Sequence, residues 1–245
     1  MSEESVEEED LKNTKFMVFT LLRILKFFYS FKQLENRLNI PSQVLWRYVT
    51  LRVTPEKQTA DKILARIKET RLVEEVISRE VTEDKELWVI SSNPGILELA
   101  ALRLVYELRK SRIDVILSTP DIYSLPLASI ISSYFKAKLC IPSHMPLSNN
   151  VLSESYQVAP GILDVAAIPR DCIPRKSRVL ITTLAATNSL YLNPAFKLAV
   201  KRYAHISAVF SVLGNSQVIT EVARNYGVEP EPRIVVLVEM DVKNG

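Results

Sequence analysis

Arg178-Val-Leu-Ile-Thr-Thr-Leu-Ala-Ala-Thr-Asn-Ser-Leu190 is the stretch on which the reading of the chain turns. Residues 179–183 form a short apolar run of strand length. A loop of small and hydroxylated residues follows, and Asn193-Pro194 opens a helix. A strand that feeds such a loop at a helix start is suited to holding phosphate, because free backbone N–H groups and the helix dipole point there. The loop contains neither glycine nor acid. Thr182, Thr183, Thr187, Asn188 and Ser189 are therefore its candidate ligand contacts.

Working outward, residues 86–240 alternate strand and helix patterns. Strands are expected at 87–91, 114–118, 138–141, 179–183, 206–213 and 234–239. Helices are expected at 95–110, 126–135, 194–204 and 217–226. Residues 142–161 read as an irregular polar excursion, with 156–158 and 162–168 able to pair like a hairpin. The alternation predicts an α/β fold with a mostly parallel sheet and helices on both faces. Ligands in such folds bind beyond the carboxyl ends of the strands.

The first third differs. Residues 1–10 hold six acids and no base, and 1–11 is expected to be a disordered tail. Residues 12–57 hold nine Lys/Arg against two acids, a footprint for a polyanion. Apolar spacing predicts an all-helical domain over 12–80, ahead of the α/β domain at 81–245. Ser30 caps a helix over 31–38, Asn39 makes a left-handed turn, and a further helix starts at Ser42.

The chain has 245 residues, 47% hydrophobic, and a net charge of +3. That suffices for one large domain, or a medium one plus a small one. Cys140 and Cys172 lie among apolar residues and read as core. With His144 and His205 they lack metal-ligand spacing, so no metal or cofactor is expected. The acidic N-terminus does not read as a signal peptide, and the apolar run 16–31 carries Arg23 and Lys26. A cytoplasmic protein without a membrane span is expected.

Two resemblances sharpen this reading. Phe31-Lys-Gln-Leu-Glu-Asn-Arg-Leu-Asn-Ile-Pro-Ser-Gln-Val-Leu-Trp-Arg-Tyr48 resembles the helix-turn-helix of phage-repressor-type DNA-binding domains. Leu34, Leu38, Ile40, Leu45 and Tyr48 match its buried positions, and Asn39 stands on its turn glycine. Glu35 departs from it, at a position that is usually small. The resemblance implies that Ser42, Gln43, Trp46 and Arg47 reach base edges while Lys32, Arg37 and Arg52 contact phosphates. Gln33 belongs to the same DNA-facing set.

Residues 86–240 resemble type I phosphoribosyltransferases, and orotate phosphoribosyltransferase in particular. Residues 118–128 resemble the pyrophosphate loop, with Thr119 and Ser124 in place of glycines and Tyr123 in place of a lysine. This makes Asp121, Tyr123 and Ser124 further ligand candidates. Residues 179–190 resemble the phosphoribosyl-pyrophosphate motif, but Thr182 and Thr183 replace its two acids and Asn188-Ser189 its glycines. Residues 208–239 resemble the family's closing strand-helix-strand. Threonines cannot supply the charge that stabilises a positive ribosyl centre, and 144–154 carries no Lys or Arg.

The combination resembles archaeal transcription regulators that join these two parts. It implies a sequence-specific DNA-binding regulator with no catalytic residues. The inactive transferase-like domain would serve dimerisation and the sensing of a nucleotide or phosphorylated sugar. A homodimer would present two recognition helices to a pseudo-palindromic double-stranded DNA site. The alternatives are an enzyme, either orotate-type or with an altered substrate, and a non-catalytic adaptor for RNA or protein.

Overall fold

A computed structural model describes residues 3–81, 87–145 and 149–240, with side chains from residue 14 onward. The chain divides into two compact units, 1–82 and 83–245. The first holds α1 (Glu3–Phe28), α2 (Phe31–Leu38), α3 (Ser42–Val49), α4 (Lys57–Glu69) and α5 (Leu72–Glu80). Leu22, Leu25, Leu34, Leu45, Ile63, Ile67 and Ile77 form its buried interior. α2 begins at a capping box: the Gln33 N–H donates to the Ser30 hydroxyl, and the Ser30 N–H donates to the Gln33 side chain. It ends at Asn39, which adopts the left-handed conformation at φ 56°.

Of the stretch 1–11 expected to be disordered, residues 3–11 belong to the helix α1, and residues 1–2 lie outside the described residues. Glutamate is a good helix former, and extending a nucleated helix costs far less than starting one. Among the described residues no helix is long and apolar enough to cross a membrane.

The second unit starts with α6 (Leu87–Ser91) and α7 (Pro94–Leu108), followed by β1 (Val115–Ser118), α8 (Ser124–Phe135) and β2 (Lys138–Cys140). An antiparallel hairpin of β3 (Val151–Ala159) and β4 (Ile162–Pro169) follows. The chain then runs through β5 (Arg178–Ala186), α9 (Leu192–Lys201), β6 (His205–Gly214), α10 (Ser216–Asn225) and β7 (Arg233–Glu239). The main sheet has the order β2-β1-β5-β6-β7, and every neighbouring pair is parallel. Its central strands are buried on both faces, as helix-covered parallel strands must be.

Three expectations are corrected here. Residues 87–91 form a helical turn rather than a strand: Ile90 is buried, Trp88 is 52% exposed, and the N–H of Ser92 closes back on the Trp88 carbonyl. Residues 151–159 are a strand, paired with β4 and with a register shift between Gln157 and Ala159, rather than an irregular excursion. Leu152, Glu154 and Tyr156 face inward in alternation with exposed Ser153, Ser155 and Gln157, and the inward Glu154 disguised the period. Cys140 and Cys172, read as separate core residues, are joined in a disulfide with their Cα atoms 5.6 Å apart.

The β5–β6 pairing requires a close approach at its end, where Ala186 lies opposite Gly214. A Cβ at Gly214 would sit 2.9 Å from the Ala186 Cβ and 3.0 Å from its carbonyl oxygen. Gly214→Ala should therefore cost about 1–3 kcal/mol of stability in urea denaturation. An unchanged midpoint would contradict this packing.

Candidate functional site

The strand order reverses direction between β1 and β5. In an open parallel sheet such a switch point leaves a crevice between the two following loops. The parallel pairing runs through Ser118 opposite Thr182, and the Thr119 N–H then donates to the Thr182 carbonyl at 3.0 Å. The loops after β1 and β5 therefore leave the sheet side by side.

A cleft of about 600 Å³ opens there. Ser118 to Tyr123 of the β1 loop line one side, and Ala185, Thr187, Asn188 and Tyr191 of the β5 loop another. Ile141, Pro142, Ser143 and His144, which follow β2, close a third, and Tyr156 and Asp164 of the hairpin reach in as well.

Asp121 holds the β1 loop together. It accepts the Ser124 N–H at 2.9 Å, the Ser124 hydroxyl at 2.8 Å and the Thr119 hydroxyl at 2.6 Å. Ser124 in turn accepts the Leu184 N–H at 2.7 Å, which ties the start of α8 to β5. Ser124 is thus fully buried and acts as a brace rather than a ligand contact.

Thr182 and Thr183 are likewise corrected. β5 runs to Ala186, three residues beyond the expected end, because β6 continues to pair with it as far as Gly214. Both threonines are fully buried and outside the cleft lining. The Thr183 hydroxyl donates to the Ala185 carbonyl at 2.9 Å, whereas the Thr182 hydroxyl has no partner. Asp121, Tyr123, Thr187 and Asn188 do line the cleft, and Ser189 lines an adjoining hollow with Asn188 and Tyr156.

The hairpin supplies what the sequence reading missed. Tyr156 stands opposite Asp164 in the β3–β4 register. Its hydroxyl donates to Asp164 Oδ2 at 2.9 Å, while His144 Nδ1 lies 2.5 Å from Asp164 Oδ1. An Asp–His pair of this kind fixes the ring orientation and leaves Nε2 to exchange a proton with a ligand. Burial pushes the Asp164 carboxyl up, but the Val165 N–H, Tyr156 and His144 outweigh it and hold it below the ordinary range. Burial raises the Tyr156 phenol, as does the charge of Asp164. Recognition of Pro160-Gly161 as the hairpin turn would have placed Tyr156 across from Asp164.

The residues expected to face DNA lie in the first unit. Gln43 and Arg47 are exposed on α3, Trp46 is 39% exposed, and Arg52 stacks over the Trp46 ring at 4.6 Å. Lys32 is 3.6 Å from Glu35, and Gln33 is engaged in the capping box. Arg37 is paired with Glu75 through a two-pronged ion pair. Glu35 is half-buried and accepts a hydrogen bond from the Ser42 hydroxyl at 2.5 Å.

Two outcomes test this geometry. Thr182→Val removes a buried, unpaired hydroxyl and should leave stability unchanged or raise it by about 1 kcal/mol. A loss of more than that would mean the hydroxyl has a partner. The depressed Asp164 contributes stability that is present above the unfolded carboxylate value of about 3.9 and is lost as pH falls through its lower folded value. Asp164→Asn should therefore flatten the acid limb of a stability–pH profile below about pH 4. An identical limb would contradict the assigned hydrogen bonds.

No family model matches the sequence, and no curated protein does. Solved structures do match in fold. An adenine phosphoribosyltransferase from Rhodothermus marinus is 14% identical with a TM-score of 0.54, covering 69% of this chain and 98% of that one. The enzyme from Thermoanaerobacter pseudethanolicus is 13% identical, with a TM-score of 0.53 and coverage of 64% and 87%. The Trypanosoma brucei enzyme, solved with AMP, pyrophosphate and ribose-5-phosphate, is 16% identical, with a TM-score of 0.54 and coverage of 65% and 72%. These likenesses overturn the expectation of a non-enzymatic DNA-binding regulator. The neighbours are adenine phosphoribosyltransferases, and the enzyme alternative fits the fold better. The α/β architecture of this chain is a type I phosphoribosyltransferase-like fold.

Proposed function

We propose that the 83–245 unit is an N-ribosyl-transfer enzyme, an altered-substrate relative of the phosphoribosyltransferases. The observation that carries this reading is the Asp121 and His144–Asp164 arrangement in the cleft at the β1/β5 switch point. The Trypanosoma brucei neighbour holds AMP, pyrophosphate and ribose-5-phosphate, which are ligands of the same reaction class.

In such a transfer the bond from C1′ to the leaving group breaks, and the electron pair departs with that group. The lone pair of a base nitrogen forms the new bond to C1′. Positive charge builds on the ribosyl centre between these events, and nearby carboxylates stabilise it. Thr182 and Thr183 cannot do this, being neutral and buried. Asp121 and Asp164 supply the negative charge from the β1 loop and the hairpin instead. His144 Nε2 takes the proton released by the attacking base, and in the reverse direction protonates the departing one. Asp164 orients the ring through Nδ1.

The test is isotope exchange. The protein is incubated with labelled adenine, and in parallel with labelled orotate, against either adenosine or phosphoribosyl pyrophosphate. Label should enter the ribosylated product with at least one donor. His144→Ala should lower that rate by about a hundredfold. Absence of incorporation from every pair would overturn the reading.

A further inference from the structure

AMP, pyrophosphate and ribose-5-phosphate, the ligands of the Trypanosoma brucei neighbour, all carry phosphate. The cleft described above is poorly matched to that charge. Among its described lining residues there is no Lys or Arg. The ionisable groups facing it are Asp121 and Asp164, His144 with its Nδ1 already paired to Asp164, and the phenols Tyr123, Tyr156 and Tyr191. An anion placed here would meet two carboxylates and no cation to offset them. The tyrosines register the same field: burial raises the phenols of Tyr156 and Tyr191, and the charges of Asp121 and Asp164 raise both further.

The adjoining hollow, lined by Ser189, Asn193 and Lys197, does not reverse this balance. The Lys197 ammonium lies 4.0 Å from Glu154, a buried carboxylate that Lys201 also pairs. What the cleft does offer is aromatic surface and neutral hydrogen-bonding groups. Tyr156 and Tyr191 meet edge to face with their centroids 6.0 Å apart. Thr187 and Asn188 are exposed on the opposite loop. Aromatic faces stack on a planar base irrespective of its sequence of polar atoms, and hydroxyl and amide groups suit a sugar.

We propose that this cleft takes an unphosphorylated nucleoside, its base against the tyrosines and its ribose toward Thr187 and Asn188. The proposal rests on the ribosyl-transfer reading and names the ligand class of that site. It departs from the phosphorylated ligands of the Trypanosoma brucei neighbour because the described lining here carries two carboxylates and no lysine or arginine.

The test is calorimetric titration of the full chain with adenosine, AMP and pyrophosphate at low salt, each with and without magnesium. Adenosine should bind at least about tenfold more tightly than AMP, and pyrophosphate should not compete. Asn188→Lys places a cation on an exposed loop position and should narrow the adenosine-to-AMP ratio several-fold. AMP or pyrophosphate binding as tightly as adenosine would overturn the proposal, as would failure of adenosine to bind. So would a ratio that Asn188→Lys leaves unchanged. The two readings fail separately. Isotope exchange together with an AMP preference would sink only the ligand class, whereas an adenosine preference without any exchange would sink only the reaction.

Discussion

The parallel pairing of β1 with β5 is the constraint on which the site depends. It fixes Ser118 opposite Thr182 and carries on past the strand into the Thr119–Thr182 hydrogen bond. Two loops from segments about sixty residues apart are thereby launched from one edge. Ser124 then links Asp121 on one loop to the Leu184 backbone on the other strand. Buried hydrogen bonds of this sort are costly to leave unmade, so the cleft is held open by the same groups that hold the sheet together.

In the proposed ribosyl transfer, the negative charge at the cleft comes from outside β5. The phosphoribosyl-pyrophosphate motif carries its acids on the strand, where this chain has Thr182 and Thr183. Here the strand is sealed, and its threonines are interior. Carboxylates reach the same cleft from the β1 loop and from a hairpin outside the main sheet. Because the hairpin also brings Tyr156 against Asp164, and His144 joins them from the segment after β2, an acid–base pair forms from residues far apart in sequence. The motif alone shows threonines at 182 and 183 and carries no sign of Asp164, which reaches the cleft from the hairpin.

That contrast explains how much of the molecule could be read in advance. The parallel sheet and the run of 179–183 as a central strand follow from local apolar periodicity, which a single sequence carries. The N-cap at Ser30 and the left-handed Asn39 are legible from residue type, while the Gln33 half of the capping box is not part of that reading. Residues 87–91 were not, because Leu-Trp-Val-Ile has strand propensity while its burial pattern in the fold is that of one helical turn. The motif marks Thr182, Thr183 and Ser124 as ligand contacts, but the threonines are buried where β6 accompanies β5, and Ser124 by its bonds to Asp121 and Leu184. The His144–Asp164 contact and the Cys140–Cys172 disulfide depend on cross-strand register and chain return, neither of which has a local signal. The DNA-binding reading failed at the level of function: helix spacing and basic charge describe a surface, and Arg37 shows that a basic residue in such a block can be spent on an internal ion pair.

In the proposed reaction the β1/β5 cleft both binds the ligand and transforms it. A crystal structure of the full chain grown with adenosine tests it most directly. Ordered ligand density is expected between the Asp121–Tyr123 loop, Thr187–Asn188 and Tyr156, with His144 Nε2 within hydrogen-bonding distance of the base. Adenosine bound elsewhere on the chain, with this cleft empty, would contradict it.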